Sequence, residues 1–223
     1  MATAVRRDRA KARKSAPKSE PRPYHHGDLR LALIAATIQL IEAGGIENVT
    51  VREAARLVGV SSGAPFRHFP SRTALLTAVA EQALDRFIAE IDLTLGAAAG
   101  DDPLMRYRAV GVAFLRWAIG NPAHFQVISA RAVIDFEGST LRLRNEAIRA
   151  RTGALMAEAQ KAGLLRKGSD PLQLAIAGRA MVYGLARMFV DGQFPSWGLD
   201  EDKALAQCEG IFDTFIASIA RSK

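Results

Sequence analysis

Apolar residues recur along this chain at spacings of three and four, and that period predicts helices throughout. The first stripe is Leu29, Leu33, Ala36 and Leu40, widened by Ile34, Ile38 and Ile41. It predicts a helix over about 29–43, opened by Asp28 and closed at Gly44-Gly45. Thr50-Val51-Arg52-Glu53 has the form of a capping box, in which the Thr50 hydroxyl accepts the Glu53 amide and Glu53 reaches back to the Thr50 N–H. The short helix behind it has Ala54, Ala55, Leu57 and Val58 as its apolar side and should stop at Gly59. A second short helix, capped by Ser61 or Ser62, should run to about Phe69 with Pro65 in its first turn. Ser71 then caps a helix about twice as long, carrying Leu75, Leu76, Val79, Leu84, Phe87, Ile88, Ile91 and Leu95.

Five more helices are expected. Asp102-Pro103 opens one that ends at Gly120, and Asn121-Pro122 opens a short one ending near Ser129. A loop through Asp135-Phe136-Glu137-Gly138 precedes a charged helix at about 140–162. Asp170-Pro171 starts the next, reaching Asp191-Gly192, and Asp200 caps the last, to about Ala220. There is no internal repeat and no strand-length alternation, so the fold class is all-α with about nine helices.

Two short helices joined by a tight glycine-containing turn make a helix-turn-helix at about 50–69, whose second helix would lie in a major groove. Ser61, Ser62, Gly63 and Ala64 are small enough at its start for close approach, and Arg67 follows one turn later with the side chain that most often reads guanine. His68 and Arg72, at the far end, suit phosphates. The competing reading is a helical hairpin that touches no nucleic acid.

These residues also resemble a family signature. Gly59-Val60-Ser61, Pro65-Phe66-Arg67-His68-Phe69, Ser71-Arg72 and Ala74-Leu75-Leu76, preceded by Glu42-Ala43-Gly44-Gly45, are similar to the TetR-type transcriptional regulators over about residues 27–80. The resemblance implies phosphate contacts at Thr50, Phe66, His68 and Arg72, and positions facing base edges at Arg52, Ser62, Ala64 and Arg67. Phe66 stands where that family usually has tyrosine, so a phosphate-bonding hydroxyl is missing there.

Charge adds an arm to this picture. The formal net charge is +7, but residues 1–23 alone carry +6, from eight arginines and lysines against Asp8 and Glu20. With Pro17, Pro21 and Pro23 and few bulky apolar residues, this stretch is expected to be a disordered basic arm. It is either a solvated tail or an addition to phosphate affinity beside the DNA-binding unit. Tyr24-His25-His26-Gly27 has no carboxylate or cysteine at ligand spacing, so no metal or other cofactor is expected. The single cysteine, Cys208, fits a buried helix position and a reducing cytoplasm. No membrane span and no signal peptide is expected.

The resulting division is residues 24–80 for the helix-turn-helix domain and 81–223 for a helical effector-binding and dimerisation domain. Ile176, Ala177, Ala180, Met181, Gly184, Leu185 and Met188 form one broad apolar face; Leu205, Phe212, Phe215, Ile216 and Ile219 form another. Either these cover the monomer core or, as the resemblance implies, helices 171–191 and 201–220 build a homodimer's four-helix bundle with Arg179 and Arg187 at its edge. Phe114, Trp117, His124, Phe125 and Tyr183 are candidate walls of an effector pocket, with plain core as the alternative for each. Asn121-Pro122-Ala123-His124-Phe125 and Met181-Val182-Tyr183-Gly184-Leu185 also resemble one C-terminal subgroup of that family, whose second segment usually reads Trp-His-Gly. No phosphate loop or nucleophile elbow is present, and an enzyme would need a pair such as His124 with Asp135 or Glu137. The expectation is a homodimeric repressor of double-stranded DNA operators, released by a small molecule. The alternative is a helical ligand-binding or hydrolytic protein that does not touch DNA.

Overall fold

Eight α-helices carry the described part of the chain, residues 26–221 of a computed structural model. They are α1 (His26–Gly44), α2 (Val51–Val58), α3 (Arg72–Ala97), α4 (Pro103–Gly120), α5 (Pro122–Ser129), α6 (Leu141–Lys161), α7 (Pro171–Val190) and α8 (Ala204–Ile219). The basic arm expected over 1–23 and the Tyr24-His25 pair lie outside the described residues. Among the described residues there is one isolated β-bridge, Leu165 with Ala220, and no strand. None of the described helices is long and apolar enough to cross a membrane.

Most expected boundaries coincide with capping chemistry. Thr50 Oγ1 accepts from Glu53 N at 3.0 Å, Ser71 Oγ from Ala74 N at 3.0 Å, and Asp102 Oδ1 from Met105 N at 2.9 Å. Gly59, at φ 77°, closes α2 in the left-handed conformation that an L side chain resists. Three expectations need correction. α1 begins at His26, so Asp28 lies inside the helix instead of capping it. The capping box is only half formed, because the Glu53 carboxylate accepts from Arg56 Nε at 2.8 Å. Asn121-Pro122 opens α5 as expected, with the Asn121 side chain turned elsewhere: its Nδ2 donates to Trp117 O at 2.8 Å and its Oδ1 accepts from Arg86 at 3.1 Å. Asp200 caps a short 3-10 turn, Glu201–Lys203, and α8 starts behind it.

The largest departure is the third of the nine expected helices. The segment after the Gly59 turn is a single 3-10 turn, Ala64–Arg67, and neither Ser61 nor Ser62 caps it with a side chain. Pro65 has no N–H to bond back to Ser61, whose carbonyl is instead taken by Ala64 N at 3.1 Å in a tighter turn. The ladder resumes only at the end, where Phe69 N reaches Pro65 O at 2.9 Å.

α1, α2 and the first turns of α3 enclose one apolar centre of Leu33, Val49, Ala54, Phe69, Leu75 and Leu76, all buried. α4 is the hub of the rest, packing against α3, α6, α7 and α8. Two glycines make that packing close. A Cβ on Gly111 would lie 2.2 Å from Phe212 Cε1, and one on Gly178 would lie 2.1 Å from the Tyr107 hydroxyl. α6 runs alongside α3 in the same direction. Thr140 with Glu81, Arg144 with Asp85 and Arg151 with Asp92 all pair at a constant offset of 59 residues. Exposed pairs contribute about 0–1 kcal/mol each, so this ladder fixes register more than stability.

α3 is therefore shared. Its first turn closes the small N-terminal centre, and Leu84, Phe87 and Ile91 enter the larger one.

Candidate functional site

The tight turn at 64–67 presents a compact outward face. Ser61, Ser62, Gly63, Phe66 and Arg67 are exposed, while Pro65 and Phe69 are buried beneath them and anchor the segment. Ala64 and His68 are half-buried at its edges. Thr50 and Arg52, at the start of α2, are exposed as well. The Thr50 oxygen serves the helix cap, but its hydroxyl proton is still available to an acceptor such as a phosphate. Phe66 keeps 41% of its surface in solvent, a bare aromatic on an otherwise polar face.

Arg72 does not join that face as expected. Its Nε donates to Val49 O at 2.9 Å and its Nη2 to Ile46 O at 2.7 Å, so the guanidinium ties the loop before α2 to the first turn of α3. Those carbonyls bracket a 3-10 turn, Ile46–Asn48, whose first residue is Ile46 and which Val49 follows; the sequence pattern did not announce it. Leu57 also departs from its expected apolar side and is 43% exposed.

A second site lies inside the larger half. A cavity of about 330 Å³ opens between α3, α4, α5, α6 and α7. Phe114, Trp117, Phe125 and Tyr183 line it, as four of the five expected wall residues. Phe125 is the hinge of the aromatic cluster, with ring centroids 5.4 Å from Tyr183, 6.1 Å from Phe114 and 6.3 Å from Trp117.

His124, the fifth, does not line it. Its side chain is buried against α3, where Nε2–H donates to Gln82 Oε1 at 3.1 Å. Burial, aided by the Arg86 charge, lowers its pKa to about 4, so it is a neutral core group. Its place along α5 is the expected one, but the helix turns it towards α3 and away from the cavity.

Arg179, expected at the edge of a dimer bundle, reaches the cavity from α7. Its guanidinium lies 4.3 Å from the Phe114 ring centroid and 5.3 Å from that of Tyr183, in the cavity wall. The residue is exposed on the isolated chain, and partial desolvation of its guanidinium against the two rings lowers its pKa. The spacing carried the signal: Arg179 and Tyr183 stand four residues apart, on one helix face. Arg187 remains outside, paired with Asp191 at 2.8 Å. Cys208 is a buried helix residue whose thiol is pushed up to about 11 by burial. Among the described residues no group of three or more His, Cys, Asp or Glu could hold a metal ion.

Comparison with known families decides what this pair of sites belongs to. Residues 33–79 match the model described as bacterial regulatory proteins, tetR family, and residues 107–208 match the tetracyclin repressor-like C-terminal domain. The chain belongs to the TetR family. It is a DNA-binding transcriptional regulator, and members of this family are not enzymes, which removes the hydrolytic alternative. Among the relatives of this TetR-family chain, the nucleoid occlusion factor SlmA of Edwardsiella ictaluri (strain 93-146) is 29% identical over 170 residues, 74% of this chain and 84% of that one. A solved structure of a protein with unknown function from Rhodococcus sp. RHA1 aligns with TM-score 0.71 at 27% identity, covering 90% of this chain and all of the other. The ketosteroid transcriptional regulator KstR2 of Mycobacterium tuberculosis shares the fold, with TM-score 0.68 at 16% identity over 86% of this chain and 95% of its own.

Proposed function

We propose that this TetR-family regulator is a cytoplasmic repressor that binds a palindromic operator as a homodimer and leaves it when a small molecule fills the α3–α7 cavity. Residues 24–80 form the DNA-binding unit, with Arg52, Ser62, Ala64 and Arg67 facing base edges and Thr50, Phe66 and His68 at the backbone. Residues 81–223 form the sensing and pairing unit. One observation carries the coupling: α3 both closes the DNA-binding unit and walls the cavity. Leu84 and Phe87 line the cavity, and fifteen residues separate Arg72 from Phe87. That is about 22 Å along a helix, so a tilt at the cavity end moves the whole of its first turn.

The dimer rests on an apolar face without cover on the isolated chain. Leu172 and Ile176 are 65% and 61% exposed on α7, and Ile211 on α8 is 36% exposed. Small residues Ala177, Ala180 and Gly184 allow a second helix pair to approach closely.

The test is a mobility shift with duplexes tiled across the DNA beside the protein's own coding region. One palindromic duplex should bind two chains, with affinity falling steeply as salt rises. Equal, weak binding to every tile would remove the operator reading.

A further inference from the structure

The charge inside the cavity says what kind of molecule it takes, given the proposed reading of that cavity as the effector site. Arg179 and Arg131 both line it, at its mouth, since each is exposed to solvent on the isolated chain. Among the described residues neither is paired with a carboxylate. The charges acting on Arg179 come from Tyr183, Tyr107 and the like-charged Arg131. Burial pushes the Tyr107 hydroxyl up to about 12, and it already donates to Ala175 O at 3.3 Å, so it supplies no anion. Aromatic faces hold both guanidiniums, Arg131 at 3.3 Å from the Phe136 centroid and Arg179 over Phe114 and Tyr183. Rings offset part of the lost hydration but accept none of the in-plane N–H bonds that a guanidinium offers.

A second, independent observation has the same polarity. Trp117 Nε1 and Ser129 Oγ are buried without a hydrogen-bond partner among the described residues, and both residues line this cavity. An indole N–H only donates, and a hydroxyl can. The cavity therefore holds donors and positive charge in excess, set in a wall of aromatic and aliphatic side chains. A neutral hydrocarbon would leave that excess unanswered, and a cation would be repelled.

We infer that the cavity binds an organic acid, a compact and largely apolar molecule with one carboxylate that Arg179 grips in bidentate fashion. A carboxylate presents acceptors only, and its two oxygens match the guanidinium fork. The indole N–H of Trp117 and the Ser129 hydroxyl are further unpaired donors, buried in the same wall. The volume of about 330 Å³ suits a body of one or two rings or a medium-length chain.

Isothermal titration of the full-length protein with matched pairs tests this: 2-naphthylacetate against 2-naphthylacetamide, and octanoate against octanamide. At least one acid should bind about tenfold or more tightly than its amide. Arg179→Gln should erase that preference and Arg179→Lys should keep part of it, with operator binding of the ligand-free variants serving as the control for folding. Acid and amide binding alike, or an acid preference that survives Arg179→Gln, would overturn the inference. Amides that bind while acids do not would leave a sensing cavity but remove its anion preference, and silence from every probe would remove both. An acid that binds yet leaves operator affinity unchanged would uphold this inference and remove the release step.

Discussion

Arg72 shows how much a single side chain's hydrogen bonds decide. Its place after Ser71 suggested a phosphate contact, yet two of its nitrogens are taken by Val49 O and Ile46 O. Removing it strands two carbonyl acceptors in a partly buried joint, at a cost of about 2 kcal/mol. Arg72→Ala should therefore lower the midpoint of thermal unfolding while leaving the slope of log K against log salt nearly unchanged. A flatter slope with intact stability would return Arg72 to the phosphates. His124 supports a prediction in pH. Its folded pKa of about 4 lies below the ordinary 6.5, so its neutral burial stabilises the fold fully above pH 6.5. As pH falls from 6.5 towards 4 that contribution is lost, on the order of 2–3 kcal/mol in all. His124→Gln, which can still meet Gln82, should be less stable at neutral pH but lose less stability over that interval. Parallel stability–pH curves for the two proteins would contradict the assignment.

At the scale of elements, helices with a capping residue and an apolar stripe were legible. Asp102-Pro103 and Asp170-Pro171 each open a helix at the expected residue, and Gly59 and Gly163 each close one. The 3-10 turn at 64–67 was not, because Pro65 is compatible both with a first α-turn and with a tighter one, and the choice depends on burying Pro65 and Phe69 together. The cavity was half legible. Apolar spacing marks Phe114, Trp117, Phe125 and Tyr183, but it carries no sign for Arg179, which is exposed and still lines the cavity. The α7 face has its own test. Ile176 is 61% exposed on the isolated chain, so a glutamate there costs the monomer little. In a two-fold bundle the substitution appears twice and buries two like charges, which should weaken the dimer by about 3–5 kcal/mol. Ile176→Glu should sediment as a monomer with native helix content; a dimer of unchanged affinity would place the interface elsewhere.

For the whole molecule the working distance is set by symmetry. In the proposed dimer two recognition turns must reach successive major grooves about 34–36 Å apart, and α3 together with a bundle of α7 and α8 would fix that separation. A ligand acts only by its difference in affinity between the spread and matched states, with about 1.4 kcal/mol for each tenfold change in operator affinity, and DNA must weaken the ligand by the same factor. All of this presupposes that the exposed face at 61–67 reads sequence. The most direct measurement is the operator affinity of the wild type and Arg67→Ala, each on the palindrome and on a scrambled duplex of equal length and salt. Arg67→Ala should lose about 1–3 kcal/mol on the palindrome and little on the scrambled DNA, so that the ratio between the two duplexes collapses. An equal loss on both duplexes would contradict base reading by Arg67.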